Sequence, residues 1–408
     1  MSSSSPETWA QLREALGDEP LPAALCMLDA LEANAAALFA LARAGGKKLR
    51  IATKSVRCPE LLSRLLTIGG GDSIGLMTFA ASETAWLAER GHRDLLLAYP
   101  TLHPRDCEMV AEANHSARAA VAVDGWEQVE ALARAGAAAG VRVPLVIDVD
   151  ASYRPLELKQ LHLGVRRSPL REARAIADLA EKIASHPDAS FAGLLSYEAQ
   201  VAGLPDRGAG FLVDAAVGAM KRRSLAQLLD SRAALVRELE SRRLKPALFN
   251  GGGTGSLAQA ARDPSLTELT AGSGFFKSHL FDHIAPREGA AALRPALSFA
   301  LQATRRPAPD LITCAGGGIV ASGEAGASRL PRPWLPEGLS LLPREGAGEV
   351  QTPLRVPAGL EIPLGAPVFF RPAKAGEPLE RFNELLLLRA GRIESRAKTY
   401  RGLGLAFG

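Results

Sequence analysis

The chain has 408 residues, 47% of them apolar, with 48 Lys+Arg against 44 Asp+Glu. That length admits two or three domains around a sizeable core, and a formal net charge of +4, thinly scattered, excludes a nucleic-acid-binding stripe. Cys26, Cys58, Cys107 and Cys314 lie far apart without a CxxC pair, which excludes a thiolate zinc finger and a disulfide-dense scaffold. No stretch approaches the roughly 18 consecutive apolar residues of a membrane span. The polar opening MSSSSPETW has no basic segment followed by an apolar one, so a cytoplasmic protein is expected.

In chain order, residues 10–18 read as a short helix, Ala23–Asp29 as a strand and Ala33–Ala42 as a helix. Short apolar runs then alternate with amphipathic stretches. The runs are Leu49–Thr53, Asp72–Leu76, Leu95–Ala98, Ala119–Val123, Val143–Val149, Phe191–Ser196, Ala247–Phe249 and Glu268–Ala271. Helical spacing between them covers Pro59–Leu66, Ala80–Arg90, Arg105–Ala113, Trp126–Ala138, Pro169–His186 and Leu212–Arg243; Gly251–Leu266 is a weaker interval. Eight strands alternating with helices fit a closed (β/α)8 barrel, with an open doubly wound sheet as the alternative.

Near Ile284 the composition changes, and Pro and Gly become more frequent. Closely spaced runs at Leu293–Thr304, Leu311–Ala315, Gly318–Ala321, Glu349–Val356, Pro367–Arg371, Glu384–Arg389 and Arg392–Lys398 predict an all-β domain. Ala23–Asp29 has no partner in the barrel and is assigned to this second sheet. The expected division is therefore an N-terminal segment 1–29 joining the β domain, a barrel over 30–284 and a C-terminal β domain over 285–408.

The C-terminal strand ends of such a barrel carry its chemistry. Lys54 closes the first barrel strand. A partly desolvated mouth there would free its amine as a Schiff-base nucleophile; the alternative is a lysine facing solvent. Gly251-Gly252-Gly253-Thr254-Gly255-Ser256 follows the seventh strand and Ala271-Gly272-Ser273-Gly274 the eighth. Loops after these two strands form the recurring phosphate site of this architecture. Glycines there let backbone N–H groups approach an anion, and the hydroxyls add donors. The first loop is neither a GxGxxG fingerprint nor a Walker A loop. His162 follows the fifth strand and Tyr197 the sixth, so both face the same end. Asp148 or Asp150 is placed to orient His162. His279 and His283 have the i, i+4 spacing of a metal pair on a helix, but lack an obvious third ligand and read as structural.

A strand-end amine beside a phosphate cradle describes a site for pyridoxal 5′-phosphate. On Ala52–Glu60, Gly193–Glu198, Gly251–Ser256 and Thr267–Gly274 the chain resembles the fold-type III pyridoxal-phosphate enzymes, in particular their D-threonine aldolase/D-serine dehydratase branch and its bacterial amino acid deaminase/aldolases. The resemblance implies Lys54 as the Schiff-base lysine, with Gly252, Gly253, Thr254, Gly272 and Ser273 holding the phosphate. Tyr197 would contact cofactor or substrate. His162 would stand where relatives often have an arginine near the cofactor's phenolic oxygen. The implied activity is a lyase acting on β-hydroxy D-amino acids, with a small amino acid as substrate and a homodimer as the working unit.

The relatives also carry a late His-x-Asp or His-x-Cys pair for a divalent metal. The corresponding stretch here, Phe370-Arg371-Pro372-Ala373-Lys374 followed by Gly376-Glu377, has no histidine, and none occurs after His283. No metal is therefore expected at this site: either Arg371 or Lys374 takes its electrostatic role, or β-elimination and aldol cleavage are weak here. A racemase is the second reading. It needs a second base, and the single tyrosine after Tyr197 is Tyr400. A non-catalytic pyridoxal-phosphate carrier is the third.

Overall fold

The computed structural model describes residues 8–157, 160–204, 206–207, 210–284 and 292–407. Eight parallel strands close on themselves: β2 (Lys48–Ala52), β3 (Ser73–Thr78), β4 (Asp94–Leu97), β5 (Arg118–Val123), β6 (Val143–Asp148), β7 (Ala189–Ser196), β8 (Leu248–Gly251) and β9 (Glu268–Ala271). Closure is made by β2 pairing in parallel with β9 from Lys48↔Glu268 to Ile51↔Ala271. This settles barrel against open sheet. The strands are mostly apolar, rich in Leu, Ala and Val, because both faces are covered: side chains fill the barrel inside and meet helices outside.

The helices follow from their apolar stripes. Ala173–Ala184 buries Ile176, Ala177, Leu179, Ala180 and Ile183, one face of a 3.6-residue repeat. Pro59 opens Pro59–Gly69 at a position whose N–H has no helical acceptor. The weak interval after β8 holds only the short helix Leu257–Arg262.

The second sheet has nine strands. Its main path runs β13 (Ser340–Leu341), β14 (Gln351–Arg355), β11 (Leu311–Ala315), β10 (Leu297–Ala308), β1 (Ala23–Met27), β16 (Glu384–Arg389) and β17 (Arg392–Lys398). Off that path, β15 (Pro367–Arg371) pairs with β10 and with β12 (Arg332–Leu335). The N-terminal strand β1 lies between β10, antiparallel, and β16, parallel. Its Leu25, Cys26 and Met27 are fully or almost fully buried, so the two ends of the chain meet in this sheet.

One expected strand is absent. Gly318–Ala321 is irregular, and β12 and β13 form instead. Gly316 and Gly317 adopt φ of +87° and +126°, a conformation that interrupts a strand. Thr352 Oγ1 donates to Gly316 O at 2.7 Å and fixes the bend. Among the described residues no helix is long and apolar enough to cross a membrane. All four cysteines are buried and unpaired.

Candidate active site

A cavity of about 840 Å³ opens at the C-terminal ends of the barrel strands, roofed by segments of the second sheet. That volume suits a cofactor together with a small substrate.

Strand β2 ends at Ala52, and Lys54 sits in the 3-10 turn Thr53–Ser55 just beyond it. Thr53 Oγ1 donates to Met77 O at 3.0 Å, and Arg57 Nε donates to Lys54 O at 2.9 Å, which pins the turn on both sides. The Lys54 side chain is exposed to the cavity rather than desolvated. Its Nζ donates to Tyr99 Oη at 2.8 Å. Burial pushes the Tyr99 phenol up, but the Lys54 and Arg167 cations outweigh it and leave the group below its ordinary value. Tyr99 lies just past the end of β4 and was not singled out from the sequence; its place two residues beyond a strand end was the available signal.

The two glycine turns line the same cavity next to the Lys54 turn, because β9 is the barrel neighbour of β2. Gly252 adopts a φ of +84°. A Cβ on Gly253 would lie 2.9 Å from Tyr197 Cε2, and one on Gly272 would lie 2.7 Å from Ser55 Oγ and 3.0 Å from Ala52 Cβ. Side chains at these positions would fill the cradle. Thr254 Oγ1 accepts from Gly274 N at 2.9 Å and ties one turn to the other. Ser55 and Ser273 bring their hydroxyls to 3.4 Å of each other. Backbone amides and three hydroxyls at a cleared pocket end are the donor set of a phosphate site.

Beneath the first turn lies a buried ionic network. Ser256 Oγ donates to Glu198 Oε1 at 2.7 Å and accepts from Gly253 N at 3.1 Å. Arg232, on the helix Phe211–Ser241, donates to Glu198 Oε2 at 2.7 Å, Asp263 Oδ2 at 2.9 Å and Ser196 O at 2.6 Å. These groups are almost wholly excluded from water, so they hold the turn rigidly.

Tyr197 lines the cavity beside Gly253, half-buried. Burial, aided by Glu198, pushes its phenol up to about 12 against the pull of Arg167. His162 does not line the cavity; it sits in the loop after β6 with Nε2 3.2 Å from Val165 O. From that same loop Arg167 reaches the cavity, its guanidinium 5.8 Å from the Tyr99 ring centre and 5.6 Å from that of Tyr197. Of these two residues of the loop it is Arg167, not His162, that lines the cavity. Asp150 does not orient His162: its carboxylate accepts from Ser152 N and Arg154 Nη2. Asp148 is buried, which raises its carboxyl to about 7 despite the neighbouring Arg167.

Among the described residues no group of three or more His, Cys, Asp and Glu is arranged around a metal position. His279 and His283 do not share an α-helical face. His279 is in a 3-10 turn with Nε2 2.8 Å from Leu330 O, and burial pulls it down to about 4. In the stretch Phe370–Lys374, Arg371 is bound bidentately by Asp282, with both contacts at 2.8 Å, while Lys374 lines the cavity. A lysine ammonium is a donor for anions and repels a divalent cation, so these residues do not fit a metal. Tyr400 is fully buried and donates to Glu83 Oε1 at 2.8 Å. It is the one tyrosine after Tyr197, and its burial against Glu83 takes it out of reach of the cavity as the second base of a racemase.

A closed barrel whose first strand presents an amine beside a phosphate cradle defines a pyridoxal-phosphate enzyme of fold type III. Residues 26–278 match the alanine racemase N-terminal domain, and the chain belongs to that family. It is similar to a D-threonine aldolase of Arthrobacter sp, 25% identical over 387 residues that span 94% of this chain and 93% of the relative. A 3-hydroxy-D-aspartate aldolase of Paracoccus denitrificans (strain Pd 1222) is 25% identical over 272 residues, 66% of this chain and 63% of that one. The fold is shared with the crystal structure of D-threonine aldolase from Filomicrobium marinum, with a TM-score of 0.81 and 21% identity over 95% of this chain and 96% of that chain.

Proposed function

We infer that this chain is a pyridoxal-phosphate-dependent lyase of β-hydroxy D-amino acids, and that its reaction is aldol cleavage between Cα and Cβ. The observation that carries the reading is the meeting of Lys54 Nζ and both glycine turns in one cavity. The aldol direction is supported by the two sequence relatives, both named as aldolases. When bound, pyridoxal phosphate supplies the electron sink for the pair left on Cα.

In this reading Lys54 is the amine that anchors the aldehyde and is released by the substrate amine. Gly252, Gly253, Thr254, Gly272 and Ser273 hold the phosphate, with Ser55 joining them. Tyr197 and Arg167 flank the ring. Tyr99 holds the Lys54 amine in place between turnovers. The substrate is a small amino acid, and a homodimer is the working unit.

The test compares visible spectra of the holoprotein and its Lys54→Ala variant, with and without borohydride. The expected outcome is a borohydride-reducible band in the natural protein and none in the variant, together with acetaldehyde release from D-threonine. A reducible band surviving in the variant removes Lys54 from its role.

A further inference from the structure

The roof of the cavity carries a second lysine besides Lys54. Lys374 lines the cavity from the turn after β15, half-buried. The turn is held close to Lys54: a Cβ on Gly376 would lie 2.5 Å from Lys54 O. Lys374 Nζ donates to Ser322 O at 2.8 Å and Ser322 Oγ at 2.9 Å. Ser322 Oγ in turn donates to Glu377 Oε1 at 2.7 Å, and Ser322 N donates to the same oxygen at 2.9 Å. An ammonium has three N–H donors. Two are engaged by Ser322, leaving one for the cavity. The hydrogen bonds all run one way, from Lys374 through a hydroxyl to a carboxylate.

We propose that Lys374 is the group that meets the substrate's β-oxygen, and that Ser322 and Glu377 form the relay that takes a proton away from it. The assignment rests on the lyase reading above. Before aldol cleavage Lys374 gives the proton it shares with Ser322 Oγ to that hydroxyl as a Ser322 proton moves to Glu377, and the neutral amine so formed, which has the lone pair an ammonium lacks, takes the β-hydroxyl proton. Lys374 ends with the protons it began with. The O–H pair becomes the second bond of the new carbonyl, the Cα–Cβ bond breaks, and its pair stays on Cα. A proton delivered to Cα from the Lys54 side completes the shorter amino acid, and Glu377 returns its proton to water. Substrate and products then differ by no atom.

The electrostatics bear on the two ends of the relay differently: they ease proton loss from Lys374 and make Glu377 a transient holder of the proton, which it passes on to water. Burial lowers Lys374 from its ordinary value, Glu377 opposes this, and Arg329 and Lys54 add to it. An amine so placed gives up and regains a proton more readily than a free lysine. Glu377 stays below its ordinary value: burial raises it, but its bonds from Ser322 outweigh that. Arg371, the other cation of this stretch, is committed to Asp282 and does not serve.

The test uses holoenzyme and three readouts: cleavage of D-threonine, its pH profile, and exchange of the glycine α-proton in deuterated water. Glycine has no β-oxygen, so exchange reports the Lys54 side alone. Lys374→Met is expected to lower cleavage about a hundredfold or more while the cofactor band and glycine exchange persist. Ser322→Ala and Glu377→Gln are expected to lower kcat and move its pH profile, which a purely structural role would not do. Should Lys374→Met fail to fold, the Ser322→Ala profile decides. Equal cleavage by natural enzyme and variants overturns the proposal and leaves the lyase reading standing. Absence of cleavage of any β-hydroxy D-amino acid by the natural enzyme overturns both.

Discussion

His162 and Arg167 share one loop, yet only the guanidinium lines the cavity. Arg167 stands between two tyrosine faces and shifts Tyr99, Tyr197 and Asp148 through its charge. A planar, delocalised guanidinium presents a fixed fork of donors while lying over aromatic faces, which an imidazole does not. Arg167→Met is therefore expected to lower kcat/KM about tenfold or more, the worth of one charge-assisted contact, and His162→Ala to leave it within about twofold. Steady-state kinetics on both variants check this; the reverse ranking would restore His162 to the site. From the sequence the loop was legible as part of the mouth, but not which of its residues turns inward. That depends on a backbone path that no local pattern fixes.

At the scale of elements, the long helix Phe211–Ser241 reaches the phosphate cradle through one side chain. Arg232 bridges Glu198 and Asp263, both buried, and Glu198 holds Ser256 at the base of the glycine turn. Removing the cation leaves two buried carboxylates without the guanidinium that bridges them, Glu198 keeping the bond from Ser256 Oγ and Asp263 that from Ser265 N. Arg232→Met should destabilise the protein by about 3–5 kcal/mol and weaken cofactor binding, as denaturant unfolding and a pyridoxal-phosphate titration would show. An unchanged unfolding midpoint would mean that the network contributes no rigidity. The helix itself was legible from its apolar spacing. Its link to the glycine turn was not, because Arg232, Glu198 and Asp263 are far apart in sequence and meet only when the barrel closes.

At the scale of the whole molecule, neither the barrel nor the second sheet contains the cavity alone. Lys54 and the glycine turns come from the barrel, whereas Ser322, Lys374 and Glu377 come from segments between the strands of the other sheet. Their separation is fixed where Gly376 rests on Lys54 O. Gly376→Ala should push the two apart, with a stability loss of about 1–3 kcal/mol and a larger fall in cleavage than in cofactor binding. Thermal unfolding and cleavage assays on the variant check this, and wild-type values for both would show the contact to be slack.

Strand-length runs separated by amphipathic helices determined the eightfold alternation, and with it which residues stand at the C-terminal strand ends. Lys54, Tyr197 and the two glycine turns follow from that count, since in a barrel a residue's place along its strand fixes the end it serves. The tertiary structure alone decided the rest. Closure put β9 beside β2, so the glycine turns flank Lys54. The N-terminal strand entered the far sheet, and folding of that sheet over the barrel brought Lys374, Ser322 and Glu377 above the amine. These are contacts across long sequence separations, set by how whole layers pack, and periodicity within a single segment carries no information about them.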